Sequence, residues 1–364
     1  RGVFVQVHPR EAMGEVGELC TIILTTSPTP SNPSTELIEE TLRSMGAFAP
    51  ELLGCRSIIV CDGYKSAAAS KFRCGIVTEE RAQAYETYMD ALQKLVEEDP
   101  APHWRRAELL RLPERHGFGF AVRAALPRVA TPFVCIMQHD RTFMRPCDFV
   151  LRLLRGMGAD GRLKMVGMPT TTNDPPRYLK AAESKLVEIK VPQPRPKLEN
   201  TILTSPECPG LRFIPMIMWH DSTHFASTAY YRNFVFGPRH LVSRGGFIED
   251  KLGQQQGLDL RTIGWRSHAE YGTWLLDDGA PPPTRLVGHL DGKHFLRADD
   301  KVAIQAQQRL LKAAAASGVE SSSAPSALGP DAAAAVAAAP TGLVAAACGD
   351  TVGPPRSDDE LSAA

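Results

Sequence analysis

Gln138-His139-Asp140-Arg141 puts an amide, an imidazole, a carboxylate and a guanidinium directly after Phe133-Val134-Cys135-Ile136-Met137, a run without a polar side chain. Gln138 and Asp140 are two apart, so on an extended chain they project to the same side. A carboxylate held there can bind a hard divalent cation, which in turn neutralises phosphate oxygens. A strand end that merely reaches solvent fits the same residues equally well. A second group is Trp219-His220-Asp221-Ser222-Thr223-His224, in which His220 and His224 have the spacing of a zinc pair on one helical face. Aromatic and β-branched neighbours favour strand or loop there, which separates the two rings. Trp219, His220, Asp221 and His224 are then an acceptor-lining element or plain packing. Glu249-Asp250 follow Gly245-Gly246 at a helix start, where acids are favoured in any case. His289, Asp291, Lys293 and His294 share a Gly-punctuated loop. Gly117-Phe118-Gly119-Phe120 lacks both the Lys-Ser/Thr of a phosphate loop and the spacing of a dinucleotide fingerprint, and close packing of a helix on a sheet accounts for it.

These groups need a scaffold, and the first half of the chain reads as alternating strands and helices. Apolar, β-branched runs at 20–26, 56–63, 107–113, 132–137 and 163–169 predict strands. Between them, 34–45, 78–98, 117–129 and 147–157 carry helical periodicity. Such alternation predicts an α/β fold with a mostly parallel sheet covered on both faces. Ligands of such sheets bind at the carboxyl ends of the strands. Thr25-Thr26-Ser27, Asp62-Gly63 and Gln138-His139-Asp140 therefore converge on one edge. The later half is aromatic, His-rich and less regular, and its Pro-rich stretch 191–210 reads as a long loop able to fold over a site.

The bulk composition sets limits. Lys+Arg and Asp+Glu are both 41 in 364 residues, so there is no positive field to draw the chain onto nucleic acid. The 8 cysteines contain no C-x-x-C pair and no zinc-ribbon spacing. No apolar run reaches the length of a membrane span, and no signal peptide is visible. The chain starts at Arg1 rather than Met, which leaves an upstream targeting segment open, and with it either the Golgi and secretory lumen or the cytoplasm. From residue 313 to 364 the composition is Ala, Ser, Gly and Pro with few large apolar side chains, and this stretch is expected to be a disordered tail.

The run from Gly117 to Asp140 resembles the core of the family-2-type nucleotide-sugar glycosyltransferases with the GT-A fold. It has a Gly-rich helix start, Ala121-Val122-Arg123, and an apolar strand that closes where the family has Asp-x-Asp. Thr21 to Pro28 looks like that fold's opening strand and Ile58 to Gly63 like its second. The likeness covers roughly residues 20–170, and later rests on Gly246-Phe247-Ile248-Glu249-Asp250. It implies a GT-A-like domain over 1–312, with a nucleotide-binding half at 20–170 and an irregular acceptor-side half at 171–312. The implied activity is a hexosyltransferase-type transfer, with inversion, from a nucleoside-diphosphate sugar to a carbohydrate or other hydroxyl acceptor, assisted by Mn or Mg.

By the same resemblance Thr25, Ser27, Asp62, Arg123, Gln138, His139 and Asp140 line the donor side. Asp62 faces the base, Arg123 lies near the nucleotide, and Asp140 takes the metal and diphosphate. His289 or His294 completes the metal contacts. Asp250 is the catalytic base beside Glu249. The chain departs from the pattern at Gln138, which stands where the family has its first Asp. Two other readings remain: a metal-dependent hydrolase built on His220, Asp221, His224 and His289, and a sugar-binding protein without turnover.

Overall fold

The computed structural model describes residues 9–281 and 284–290. The expectations for His294, for Asp291 and Lys293 beside it, and for the tail from 313 on lie outside the described residues. Eleven strands occur in order among the described residues: β1 Cys20–Thr26, β2 Arg56–Cys61, β3 Lys65–Ser66, β4 Ile76–Val77, β5 Ala107–Arg111, β6 Phe133–Gln138, β7 Met165–Gly167, β8 Leu203–Thr204, β9 Arg212–Pro215, β10 His224–Ser227 and β11 Thr273–Asp277. The helices are α1 Pro9–Leu19, α2 Glu36–Phe48, α3 Glu79–Glu98, α4 Phe118–Ala125, α5 Val150–Ala159, α6 Pro175–Glu188, α7 Thr228–Tyr230, α8 Gln254–Ile263 and α9 His268–Tyr271.

A nine-stranded sheet, ordered β5-β2-β1-β6-β10-β7-β11-β9-β8, runs through both halves of the chain. β5, β2, β1 and β6 are mutually parallel, and β10 enters antiparallel between β6 and β7. β11 pairs parallel with β7, so only β9 and β10 oppose the common direction. The five strands read from the sequence are all present. The later half, expected to be irregular, contributes β8 to β11 to the same sheet. Segment 191–210 packs through fully buried Leu198 and supplies the edge strand β8.

The central strands are apolar along their middles because both faces are covered. Ile22, Leu24, Ile59, Cys135 and Met137 face one core with residues of α2, α3 and α5. Their alternates Ile23, Ile58, Val60, Val134 and Ile136 face the other, with Ala121, Val122 and Ala125 of α4. This is the two-residue period of a strand split between two buried layers. With no apolar face left over, polar side chains reach the surface where the strands end. No helix among the described residues is long and apolar enough to cross a membrane.

Candidate active site

Asp140 leaves β6 as the strand opens, and the chain after it is held by a short antiparallel run. Met144 N–H donates to Leu286 O (2.9 Å), Gly288 N–H to Thr142 O (2.8 Å) and Leu290 N–H to Asp140 O (2.8 Å). These bonds carry His289 across nearly 150 residues of sequence to Asp140, where His289 Nε2 lies 3.1 Å from Oδ2. The other oxygen, Asp140 Oδ1, is buried and has no hydrogen-bond partner among the described residues. Burial would raise the Asp140 carboxyl, but the His289 hydrogen bond and the neighbouring His139, His289 and Arg141 outweigh it and hold the acid below the ordinary carboxylate range.

The other tripeptide members are committed to the scaffold. Gln138 Nε2 donates to Asp221 O at 2.7 Å, tying the end of β6 to the 219–223 loop. An aspartate could only accept, so at 138 it would face that carbonyl with no proton to share. His139 is buried, with Nδ1 2.6 Å from Thr26 Oγ1, while Thr41 Oγ1 donates to its carbonyl (2.6 Å). Thr25 is also buried and its hydroxyl turns to Met137 O (3.4 Å); Ser27 is half-buried at the strand exit.

Asp62, at the end of β2, uses both oxygens on backbone. His116 N–H donates to Oδ1 (2.7 Å) and Gly117 N–H to Oδ2 (2.8 Å). Burial lifts its carboxyl above the usual range against those two donors. The carboxylate thus fixes the loop that opens α4. Gly117, at φ +76°, has no room for a side chain, since a Cβ would sit 2.5 Å from the Gly245 carbonyl carbon. Gly245 N–H donates to His116 O (2.7 Å), and Arg115 Nη2 donates to Gly245 O (2.7 Å). The two glycine-rich stretches therefore lie backbone to backbone, and Asp62 sets the entry to Glu249-Asp250 through them. Arg123 is exposed on α4 and stacks over Phe120, 5.1 Å from the ring centre, and Phe236, at 6.0 Å.

Glu249 begins a π-helical turn, Glu249–Gly253, that continues into α8. It interlocks with Asp221: Asp221 N–H donates to Glu249 Oε2 (3.0 Å) and Glu249 N–H to Asp221 Oδ2 (2.9 Å). Trp219 Nε1 donates to Asp221 Oδ1 (2.7 Å), so Asp221 is saturated as well as buried. Burial, and after it repulsion from Glu249, pushes the Asp221 carboxyl well above its ordinary range. Asp250 is exposed and accepts from Phe247 N–H at 3.2 Å. His220 is half-buried, and Ser222 N–H donates to its Nδ1 (3.2 Å), which leaves the neutral ring's proton on Nε2. Burial lowers its pKa, Glu249 opposes the shift and Arg141 adds to it, so these three side chains share one neighbourhood.

His224 belongs to the interior. It is fully buried, with Nδ1 2.6 Å from Ser222 O and Nε2 2.7 Å from the Tyr231 hydroxyl. Since a carbonyl only accepts, Nδ1 carries the proton and Tyr231 donates to Nε2. A zinc pair with His220 would need a ring nitrogen that His224 has already committed. Among the described residues no three His, Cys, Asp or Glu groups converge as a metal cage.

Burial pulls His224, and likewise the buried His268, down to about 4 from an ordinary 6.5. The unfolded chain therefore takes up more protons between these values. The stabilisation is complete above about pH 6.5 and is lost as pH falls through 4, by about 3 kcal/mol for each ring. Urea unfolding at pH 7, 5.5 and 4 should show this fall, and His224→Phe should show a shallower one. Parallel slopes would remove His224 as a cause.

No protein-family model matches the chain, and no curated protein does. Solved structures similar to it include a mannosyltransferase from Pyrobaculum calidifontis in complex with GDP-Man and Mn2+, at 16% identity over 87% of this chain and 68% of that one, TM-score 0.39. Glucosyl-3-phosphoglycerate synthase from Mycobacterium tuberculosis, in complex with Mn2+, UDP-Glc and phosphoglyceric acid, aligns at 13% identity over 88% and 87%, TM-score 0.35. GalNAc-T7 with UDP, GalNAc and Mn2+ aligns at 12% identity over 74% and 43%, TM-score 0.39. Overlays this loose set no residue correspondence.

Reading the residues had marked Asp140, His289, His220, Asp221, Glu249 and Asp250, and the fold connects them through Gln138. It turns Arg123 and His224 onto aromatic or buried partners, and buries His139 beside Asp140 against Thr26. Arg141 stands beside Asp140 in the sequence without an assigned role, because sequence alone does not tell which guanidinium finds hydrogen-bond acceptors.

Proposed function

We propose that the protein is a GT-A-type, hexosyltransferase-type glycosyltransferase that moves a sugar, with inversion, from a nucleoside diphosphate to a carbohydrate or other hydroxyl acceptor. The observation that carries this reading is Asp140 at the exit of the central strand, with one oxygen on His289 and the other buried and unpaired. An orphaned carboxylate oxygen beside an imidazole is a donor set suited to Mn or Mg, whose remaining positions water and substrate phosphate oxygens can fill. Asp140 and His289 would hold the cation; when bound, it neutralises charge that develops on the departing diphosphate.

The chain's own residues supply the rest. Asp250 accepts the proton of the acceptor hydroxyl as that oxygen bonds to the anomeric carbon. The bond from that carbon to the phosphate oxygen breaks, and its electron pair leaves with the nucleoside diphosphate. Glu249, held by the Asp221 interlock, orients the acceptor alongside His220. Asp62 acts from behind by fixing the Gly117 loop and, through it, the Gly245 segment.

A thermal-shift series with UDP, GDP and their sugars, with and without manganese, tests the reading. A ligand at a hundredfold excess over its Kd adds about 2.7 kcal/mol of stability. At least one nucleoside diphosphate should raise Tm more with manganese than without, and its sugar conjugate should be turned over. If no nucleotide shifts Tm under either condition, the proposal fails.

A further inference from the structure

We propose that Arg141 is the cationic side chain that receives the diphosphate of the donor, an assignment that rests on the nucleotide-sugar reading above. The Arg141 side chain is only 22% exposed, yet its guanidinium makes no hydrogen bond among the described residues. The nearest carboxylate oxygen, Asp140 Oδ1, lies 3.8 Å from Nε, beyond hydrogen-bond reach, and is itself unpartnered.

Other part-buried arginines of this chain place a terminal nitrogen on an acceptor, although Arg145 Nε is itself buried without one. Arg145 makes a two-pronged pair with Asp278 (2.6 and 2.8 Å) and also donates to Thr284 O. Arg115 donates to Gly245 O. Arg141 Nε is withdrawn from water with no acceptor, and a buried donor left so is costly, so its position suits an anion that binds there.

Arg141 directly follows Asp140, and its charge is felt at His220 on the acid-pair side. An anion on Arg141 would thus sit beside Asp140. The guanidinium fork, with its parallel N–H groups, fits two phosphate oxygens at once, whereas a lysine would offer only a point charge. Since Arg141 adjoins Asp140, Arg141 and a cation held by Asp140 and His289 would act on one leaving group.

Calorimetric titration in EDTA, so that no cation contributes, separates this role from that of Asp140. The probes are inorganic pyrophosphate, UDP, GDP, uridine and guanosine, against the wild type, Arg141→Gln and Arg141→Lys. Arg141→Gln should lose about tenfold or more in affinity for pyrophosphate and for the favoured nucleoside diphosphate, with nucleoside affinity unchanged. Arg141→Lys should recover part of the loss, and thermal unfolding should confirm that both variants fold. Wild-type pyrophosphate affinity in Arg141→Gln overturns the proposal, as does a wild type that binds no pyrophosphate. Pyrophosphate binding that depends on Arg141, with no nucleoside diphosphate bound more tightly than pyrophosphate, keeps the anion site and sinks the nucleotide-sugar reading instead.

Discussion

Asp140→Asn should abolish cation-dependent nucleotide binding while leaving the fold intact. The substitution keeps the size and planarity of the side chain but removes its charge and makes one terminal atom an N–H2 donor. Oδ1 is the buried oxygen without a partner, and Oδ2 already meets His289. Whichever way the amide turns, one of these two positions becomes an N–H2 and the other a neutral oxygen, so no anionic oxygen is left for a hard cation. Manganese titration followed by electron paramagnetic resonance, with UDP or GDP present, reads the effect directly. Backbone bonds at Asp140 involve its carbonyl and do not change, so Tm should move little. A variant that binds manganese and nucleoside diphosphate as the wild type does would remove the core of the proposed site.

Asp250→Asn should leave donor affinity nearly unchanged and lower sugar transfer by a factor on the order of 10² or more, the usual contribution of a general base. The Phe247 N–H bond to Oδ2 can be accepted equally well by the amide oxygen, so the local turn is preserved. What the amide cannot do is take the acceptor's proton. Glu249→Gln should be milder, because a glutamine oxygen still accepts from Asp221 N–H and the interlock survives. Turnover measured against nucleotide affinity in each variant separates loss of the base from loss of binding. Wild-type transfer by Asp250→Asn would move the role to Glu249. Asp221 is a poor substitute, since it is buried and both of its oxygens are engaged.

Much of the scaffold was legible because it depends on local periodicity. The apolar strands at 20–26, 56–61 and 133–138 announce themselves by lacking any polar face, and that in turn requires helices on both sides of the sheet. Their polar ends follow by necessity, so Asp62 and Asp140 stood out as candidates before any contact was known. β10 was harder to place. Its four residues, His224–Ser227, carry no alternation, and nothing local says that a strand so late in the chain pairs between β6 and β7. Helix α6 is harder to read for a related reason: it opens with two prolines, and only Ala182 and Leu186 of its stripe are fully buried, with Tyr178 and Leu179 partly so.

By itself the sequence determined which side chains can do chemistry here and that the strands bring Asp62 and Asp140 to one edge of a sheet. Only the tertiary structure decided which of them have chemistry left to do. Residue type fixes what a group can donate or accept, whereas its availability depends on partners far away in the chain. Asp62 is occupied by the backbone of His116 and Gly117, Asp221 by Trp219 and Glu249, and His224 by Ser222 and Tyr231. Asp140 retains one buried oxygen and Arg141 a buried Nε without a hydrogen bond, and long-range folding left both at the same strand end.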